Sequence, residues 1–299
     1  MKMIITGAYG LLGQELTRYF KDIAGWAVIP LTHQDLDVTK AEIAAPLLKR
    51  IRPDVLINCA AIVPVERCQA DPERAFAVNR DGALVLAEAA ATLPIPPTFV
   101  QISSSVVFGG WEEGEYKING YAEEDLRRPN NVYEQSKKEA EDLIKAVAAQ
   151  SRELLGRWYI VRASVLYGEA RPTIIDEFTE KIRAGGEIVA VHDRWSSPTW
   201  TKDFAAGLFE LITSSSPSGT YHIANEVKPG EATAIDVVEE ISSHFGIKPD
   251  ASRLKLVSRK DFFKIPRAPS NVLLNTQLPK LRYWREAMRE YLRQRYPTA

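Results

Sequence analysis

The chain has 299 residues, enough for a sizeable core in one or two domains. Hydrophobic residues make up 45% and charged residues 26%, a soluble globular balance that excludes disorder as the dominant state. The formal net charge of −1 gives no support to a nucleic-acid partner or a polybasic membrane surface.

In chain order, Lys2–Thr6 reads as a strand and Leu11–Phe20 as a helix with Leu12, Leu16 and Tyr19 on one face. Ala27–Leu31 is a second strand, Ile43–Ile51 a helix and Val55–Asn58 a third strand. Asp71-Pro72 starts a long helix expected to run to Ala91. Thr98–Ile102 is the fourth strand. Asn131 reads as an N-cap, with Glu134 completing a capping box for a helix to about Gln150. Trp158–Val161 is the fifth strand. This alternation predicts an α/β fold, a doubly wound parallel sheet covered on both faces. Beyond Arg162, prolines shorten the elements. Helical patterns persist at 174–184, 204–213, 235–245 and 284–295. The expected division is a dinucleotide-binding domain over 1–165, with about 190–225 rejoining it, and a smaller substrate-binding part over 166–299.

Cys59 and Cys68 lie outside any Cys-x-x-Cys pair and read as reduced thiols. The first strand is too short for a signal-peptide core, and no run of about 18 apolar residues suggests a membrane span. A cytoplasmic location is expected. The four histidines are scattered, so no metal site is expected.

Gly7-Ala8-Tyr9-Gly10-Leu11-Leu12-Gly13 follows the first strand and opens the first helix. Gly7 suits a tight turn, Gly10 a close backbone approach to a pyrophosphate, and Gly13 close helix packing. Free N–H groups and the helix dipole at that end favour phosphate. In this strand–turn–helix context the glycines indicate a dinucleotide site, with Tyr9, Leu11 and Leu12 beside them. The second strand ends in Thr32-His33, with no acidic residue before Asp35. A neutral end tolerates a 2′-phosphate, which favours NADPH over NADH.

Tyr133 is the only one of eleven tyrosines with Lys four places on. On a helix, Tyr133 and Lys137 share a face. Hydride delivered to a carbonyl carbon leaves charge on oxygen, and a phenol whose pKa is lowered by a nearby ammonium can supply the proton. Lys137 is also expected to hold the nicotinamide ribose. Ser104, at the end of the fourth strand beside Ser103, is the candidate to polarise the carbonyl.

With these residues, the chain resembles the dTDP-4-dehydrorhamnose reductases, in the extended branch of the short-chain dehydrogenase/reductase superfamily. The resemblance spans almost the full length. Gly-x-x-Gly-x-x-Gly has that branch's spacing. Asn58-Cys59-Ala60-Ala61 resembles the family's turn after the third strand. Ala77-Val78-Asn79 is similar to its following helix, and 161–168 to its fifth-strand end. The resemblance implies a Rossmann-type sheet, a nicotinamide cofactor and a nucleoside-diphosphate sugar, with a homodimer compatible. It adds Asp37 and Val38 against adenine, and Cys59, Ala60, Ala61, Asn79, Ser103 and Ala163 along the cofactor. On the substrate side it implies Ser105, Val106, Trp200 in the Pro-Thr segment and Arg267 in Arg267-Ala268-Pro269-Ser270.

Three departures stand out. The family's Thr-Asp-Tyr-Val-Phe-Asp-Gly is here Ser104-Ser105-Val106-Val107-Phe108-Gly109-Gly110, without its acids or tyrosine. Glu134 replaces the glycine after the catalytic tyrosine, and Arg194 the glutamine of Asp-Gln. Reduction of a 4-keto nucleotide sugar is the leading reading. The alternatives are an epimerase of the superfamily and a non-catalytic subunit resembling the regulatory subunit of methionine adenosyltransferase.

Overall fold

The computed structural model describes residues 1–110, 116–150, 156–248 and 252–298. In chain order the first part holds β1 (Lys2–Thr6), α1 (Leu11–Lys21), β2 (Ala27–Leu31), α2 (Ala41–Ile51), β3 (Val55–Asn58), α3 (Val65–Ala70), α4 (Pro72–Phe76), α5 (Gly82–Ala91), β4 (Thr98–Ser104), α6 (Val132–Gln150) and β5 (Trp158–Ala163). There follow β6 (Val165–Tyr167), α7 (Ile174–Ala184), β7 (Ile188–Val191), β8 (Trp195–Ser196), β9 (Pro198–Trp200), α8 (Thr201–Thr213), β10 (Gly219–His222), α9 (Ala234–His244), β11 (Leu254–Val257), α10 (Arg259–Phe262), β12 (Ser270–Asn271) and α11 (Trp284–Arg295).

Six strands form one parallel sheet in the order β10-β5-β4-β3-β1-β2. Successive side chains leave opposite faces, so Met3 and Ile5 join one core and Ile4 the other. The first core is closed by Leu12, Leu16 and Phe20 of α1 and by Phe204, Leu208 and Leu211 of α8. The second is closed by α2, α5 and α6 through Leu48, Leu86 and Ile144. This is the doubly wound α/β sheet expected from the alternating pattern. Strand order reverses between β1 and β3, which opens a crevice at their carboxyl ends. A third core gathers Tyr167, Trp200, Phe178, Ile241 and Trp284 beneath α7, α9 and α11.

The helix expected over 72–91 is interrupted. Ala77–Asp81 forms a π-turn between α4 and α5. Buried Asn79 occupies it, accepting the Ile62 N–H at 2.7 Å and donating to Ser136 Oγ at 3.1 Å. These long-range bonds hold a local geometry that helix periodicity alone does not specify. The capping box at α6 also differs in one arm. Asn131 Oδ1 accepts the Glu134 N–H at 3.1 Å, but the Glu134 carboxylate reaches back to the N–H of Asn130 at 2.7 Å, one residue earlier than expected.

A buried ion pair ties α6 to the sheet. Arg162 on β5 meets Glu141 with both prongs, at 2.9 and 2.7 Å. Ser103 Oγ adds a 2.6 Å bond to the same carboxylate, and Arg127 adds one at 3.1 Å. Burial pushes the Glu141 carboxyl up, but the Arg162 bonds and charge outweigh it and hold it below its usual range. Removing one partner of such a pair strands the other, which costs about 3–5 kcal/mol. Glu141→Ala is therefore expected to lower unfolding stability by that amount in urea titration. Lys280→Ala, which breaks the exposed pair with Glu226, is expected to cost less than about 1 kcal/mol.

Candidate active site

The crevice at the carboxyl ends of the central strands is a cleft of about 390 Å³. Its floor is the glycine turn. Gly7 has φ +62°, and a Cβ there would lie 2.7 Å from the Ala60 nitrogen. At Gly13 a Cβ would fall 2.3 Å from the Gly7 carbonyl oxygen, so α1 can meet β1 this closely only without a side chain. No side chain caps α1, and its first turn carries no acid. Its leading N–H groups therefore face the cleft with the positive end of the helix dipole. Tyr9 stands 70% exposed at the lip.

Thr32 and His33 close one end. Asp35 turns back on Thr32, accepting its N–H at 2.9 Å and its hydroxyl at 2.7 Å. The nearby acid is thereby engaged by the turn. Beneath the floor, Thr6, Asn58 and Gln101 form a buried chain of hydrogen bonds across neighbouring strands, at 2.6 and 2.8 Å. Asn58 Oδ1 also accepts the Ala60 N–H at 3.1 Å, which fixes the turn that carries Cys59 and Ala61 into the cleft wall.

Ser104, Tyr133 and Lys137 line the same cleft. The first turns of α6 present Tyr133 and Lys137, and β4 presents Ser104. Lys137 Nζ donates to the Ile102 carbonyl at 2.6 Å. Burial pushes its ammonium down to about 8, against the opposing pull of Glu141 one turn on. The Tyr133 phenol is not lowered by Lys137 as expected: burial pushes it up to about 12, while the Ser104 side chain draws it back. Without ligand, then, desolvation keeps Tyr133 a neutral phenol, the form that can give a proton. Ser104 also accepts the Val106 N–H, at 3.4 Å. Ser103 lines the wall but commits its hydroxyl to Glu141, and burial pushes the Cys59 thiol up to about 12.

Ala163 lines the cleft too. Other expected positions do not. Asp37 folds onto Thr39, accepting its N–H at 3.0 Å and its hydroxyl at 2.8 Å. Val38 is buried against Gly82. Ala60 packs under the floor, and Asn79 is consumed by the π-turn. Ser105 is buried in the short 3-10 turn Ser105–Phe108 that also contains Val106. Trp200 requires a correction: it is 1% exposed, packed against Tyr291 with Lys202 and Arg282 over its ring. Strand β9 buries all three of its residues, which removes Trp200 from any ligand surface. Val63, Ile102, Ser164, Leu166 and Arg171 line the cleft without having been anticipated. Of these, only Arg171 carried a readable signal, a cation just past the fifth-strand motif.

A second cavity, of about 260 Å³, lies across β6. Leu166 faces the cleft and Val165 the second cavity, as strand alternation requires. Its walls are mainly apolar, from Ile174, Phe178, Val191 and Phe262, and among the described residues Arg194 is its one charged lining residue. Arg267 lies outside the cleft. Its guanidinium and that of Arg194 both sit over the Phe263 ring, at 5.3 and 5.6 Å.

Residues 1–296 match the RmlD substrate binding domain family. The chain belongs to that family. It is 30% identical over 298 residues to the spore coat polysaccharide biosynthesis protein SpsK of Bacillus subtilis, with 98% of each chain covered. A dTDP-4-dehydrorhamnose reductase of Streptomyces griseus is 28% identical, covering 97% of this chain and 92% of the relative. Among solved structures, a dTDP-4-dehydrorhamnose reductase of Clostridium acetobutylicum superposes with a TM-score of 0.85 at 29% identity, over 98% of this chain and 99% of the other. The Bacillus anthracis enzyme of the same name, in complex with NADP, gives 0.84 at 26% identity, also over 98% and 99%.

The glycine contacts generate a direct test. Forcing a methyl group in at Gly13 introduces overpacking strain of about 1–3 kcal/mol. Gly13→Ala is expected to weaken NADPH binding about 5- to 150-fold in a fluorescence titration, with the far-ultraviolet circular dichroism spectrum unchanged.

Proposed function

We propose that this protein is an NADPH-dependent reductase of a 4-keto nucleoside-diphosphate sugar. The observation that carries the reading is the convergence of Tyr133, Lys137 and Ser104 on one cleft floored by the glycine turn. Relatives named dTDP-4-dehydrorhamnose reductase, over nearly the whole chain, support it. So does a relative named dTDP-4-keto-6-deoxy-D-glucose reductase.

The cofactor fits the residues present. Gly7, Gly10 and Gly13 leave room for a backbone-bound pyrophosphate, and the uncapped α1 N-terminus supplies its donors. Thr32 and His33 put no carboxylate against a 2′-phosphate, and the NADP complex of the Bacillus anthracis relative supports the same choice. When bound, the dinucleotide supplies a hydride. Ser104 donates a hydrogen bond to the sugar's carbonyl oxygen and so polarises it. Tyr133 gives its phenolic proton to that oxygen as negative charge develops there. Lys137 stabilises the phenolate left behind and holds the nicotinamide ribose. The order of groups in a nucleotide sugar matches the order of surfaces. The ketone lies at Tyr133, the diphosphate near Arg194 and Arg267, and the nucleoside in the apolar second cavity.

The test is turnover of NADPH, followed by loss of nicotinamide absorbance, against a panel of 4-keto nucleotide sugars. Tyr133→Phe is expected to lower kcat by about 10²–10⁴ while NADPH affinity stays nearly constant. Tight NADPH binding without turnover of any member would overturn the reductase reading.

A further inference from the structure

Among the described residues, the lysine and arginine that line the cleft are Lys137 and Arg171, and no aspartate or glutamate lines it. Lys137 is already committed, its Nζ bonded to the Ile102 carbonyl at 2.6 Å beside Tyr133. Arg171 is exposed and has no hydrogen-bond or ion-pair partner among the described residues. Its planar fork of donors therefore stands open to a cleft whose walls carry no acid to occupy it.

The loop that carries Arg171 is held at both ends. At Gly168 a Cβ would fall 2.1 Å from Thr201 Oγ1, and the Gly168 carbonyl accepts the Tyr291 hydroxyl at 3.4 Å. The Glu169 carbonyl accepts Arg295 Nη1, also at 3.4 Å. On the other side, Thr173 caps α7, its N–H and hydroxyl both donating to Asp176, at 2.7 and 2.8 Å. Pro172 restricts the backbone of the residue before it to extended conformations. The Arg171 backbone is thus placed before any ligand arrives, which lowers the entropy lost when its side chain binds.

The pyrophosphate of a dinucleotide brings two negative charges. The glycine turn and the first turn of α1, Leu11-Leu12-Gly13-Gln14, answer it with backbone N–H groups and no cationic side chain. The helix dipole adds only about half a positive charge. Leu166 of β6 packs on the same core as Leu12 of α1, so the Arg171 loop leaves its strand beside this turn.

We infer that Arg171 is a further cofactor-binding residue: its guanidinium pairs with the pyrophosphate of the dinucleotide and adds, from the rim, the charge that the glycine turn lacks. This rests on the dinucleotide reading of the cleft and not on the identity of the sugar. The substrate's own diphosphate is a different anion, assigned above to Arg194 and Arg267. Arg171 lines the cleft and Arg194 the second cavity, on the other side of β6.

The test is a fluorescence titration of NADPH and of NADH into the wild-type protein, Arg171→Gln and Arg171→Lys. The two cofactors share the pyrophosphate and differ in the 2′-phosphate. Arg171→Gln is expected to weaken both by the same factor of about ten, the low end for a bond to a charged group because the side chain is exposed. Arg171→Lys keeps the charge without the fork and is expected to recover part of the loss. Arg171 makes no bond in the free protein, so melting temperatures are expected to match across the three proteins. A loss confined to NADPH would overturn the assignment in favour of the 2′-phosphate. Unchanged affinity for both cofactors would overturn it as well, and a raised KM for the sugar nucleotide would then give Arg171 to the substrate. A lysine variant no better than the glutamine variant would overturn the charge pairing. Absence of binding of either dinucleotide to the wild-type protein would instead overturn the cofactor reading, and the inference with it.

Discussion

The Glu141 carboxylate is the point on which the arrangement depends. It receives Arg162 from β5, Ser103 from the end of β4 and Arg127 from the loop before α6, and the carboxylate, Arg162 and Ser103 are buried. One turn earlier on the same helix stands Lys137, tied to the carbonyl of Ile102. The carboxylate therefore fixes the rotation of α6 about its axis and its height above the sheet. Tyr133, a further turn back, inherits both. A buried ion pair contributes little net stability compared with apolar packing, but it tolerates few alternative geometries. Here that intolerance fixes a helix that must aim two side chains into one cleft.

The same charge bears on Lys137 electrostatically. Burial strips hydration from the ammonium, and Glu141 returns part of the stabilisation. Without it the desolvated lysine would lose its proton more readily. The anchoring of α6 and the charge of Lys137 thus both depend on one side chain that does not line the cleft.

Much of this was legible in the sequence, for identifiable reasons. The sheet was readable because short apolar runs alternate with helical periods. Gly7, Gly10 and Gly13 were readable because their spacing coincides with a strand–helix junction, and Tyr133 and Lys137 because four residues is nearly one helical turn. What escaped was non-local or ambiguous in direction. Trp200 and Pro198 suggest a pocket wall, but only the tertiary packing of α11 shows that Trp200 points into the core. Asp37 was drawn away by Thr39, two residues on. The π-turn depends on Ile62 and Ser136, distant from it in sequence. Glu134 reads as half of a local cap at Asn131, and its carboxylate is instead bonded to the N–H of Asn130, one residue earlier.

Strand β6 carries a consequence for how this protein can diversify. Three residues, registered as Val165 with Pro198, Leu166 with Thr199 and Tyr167 with Trp200, separate the cleft from the second cavity. Parity alone assigns each side chain to a compartment. Substitutions at Val165 reshape the second cavity while leaving the cleft wall intact, and substitutions at Leu166 do the converse. The second cavity can therefore change shape while the cleft wall stays constant. A shift of β6 by one position would exchange the two walls at once, so insertions and deletions here should be far rarer than point changes.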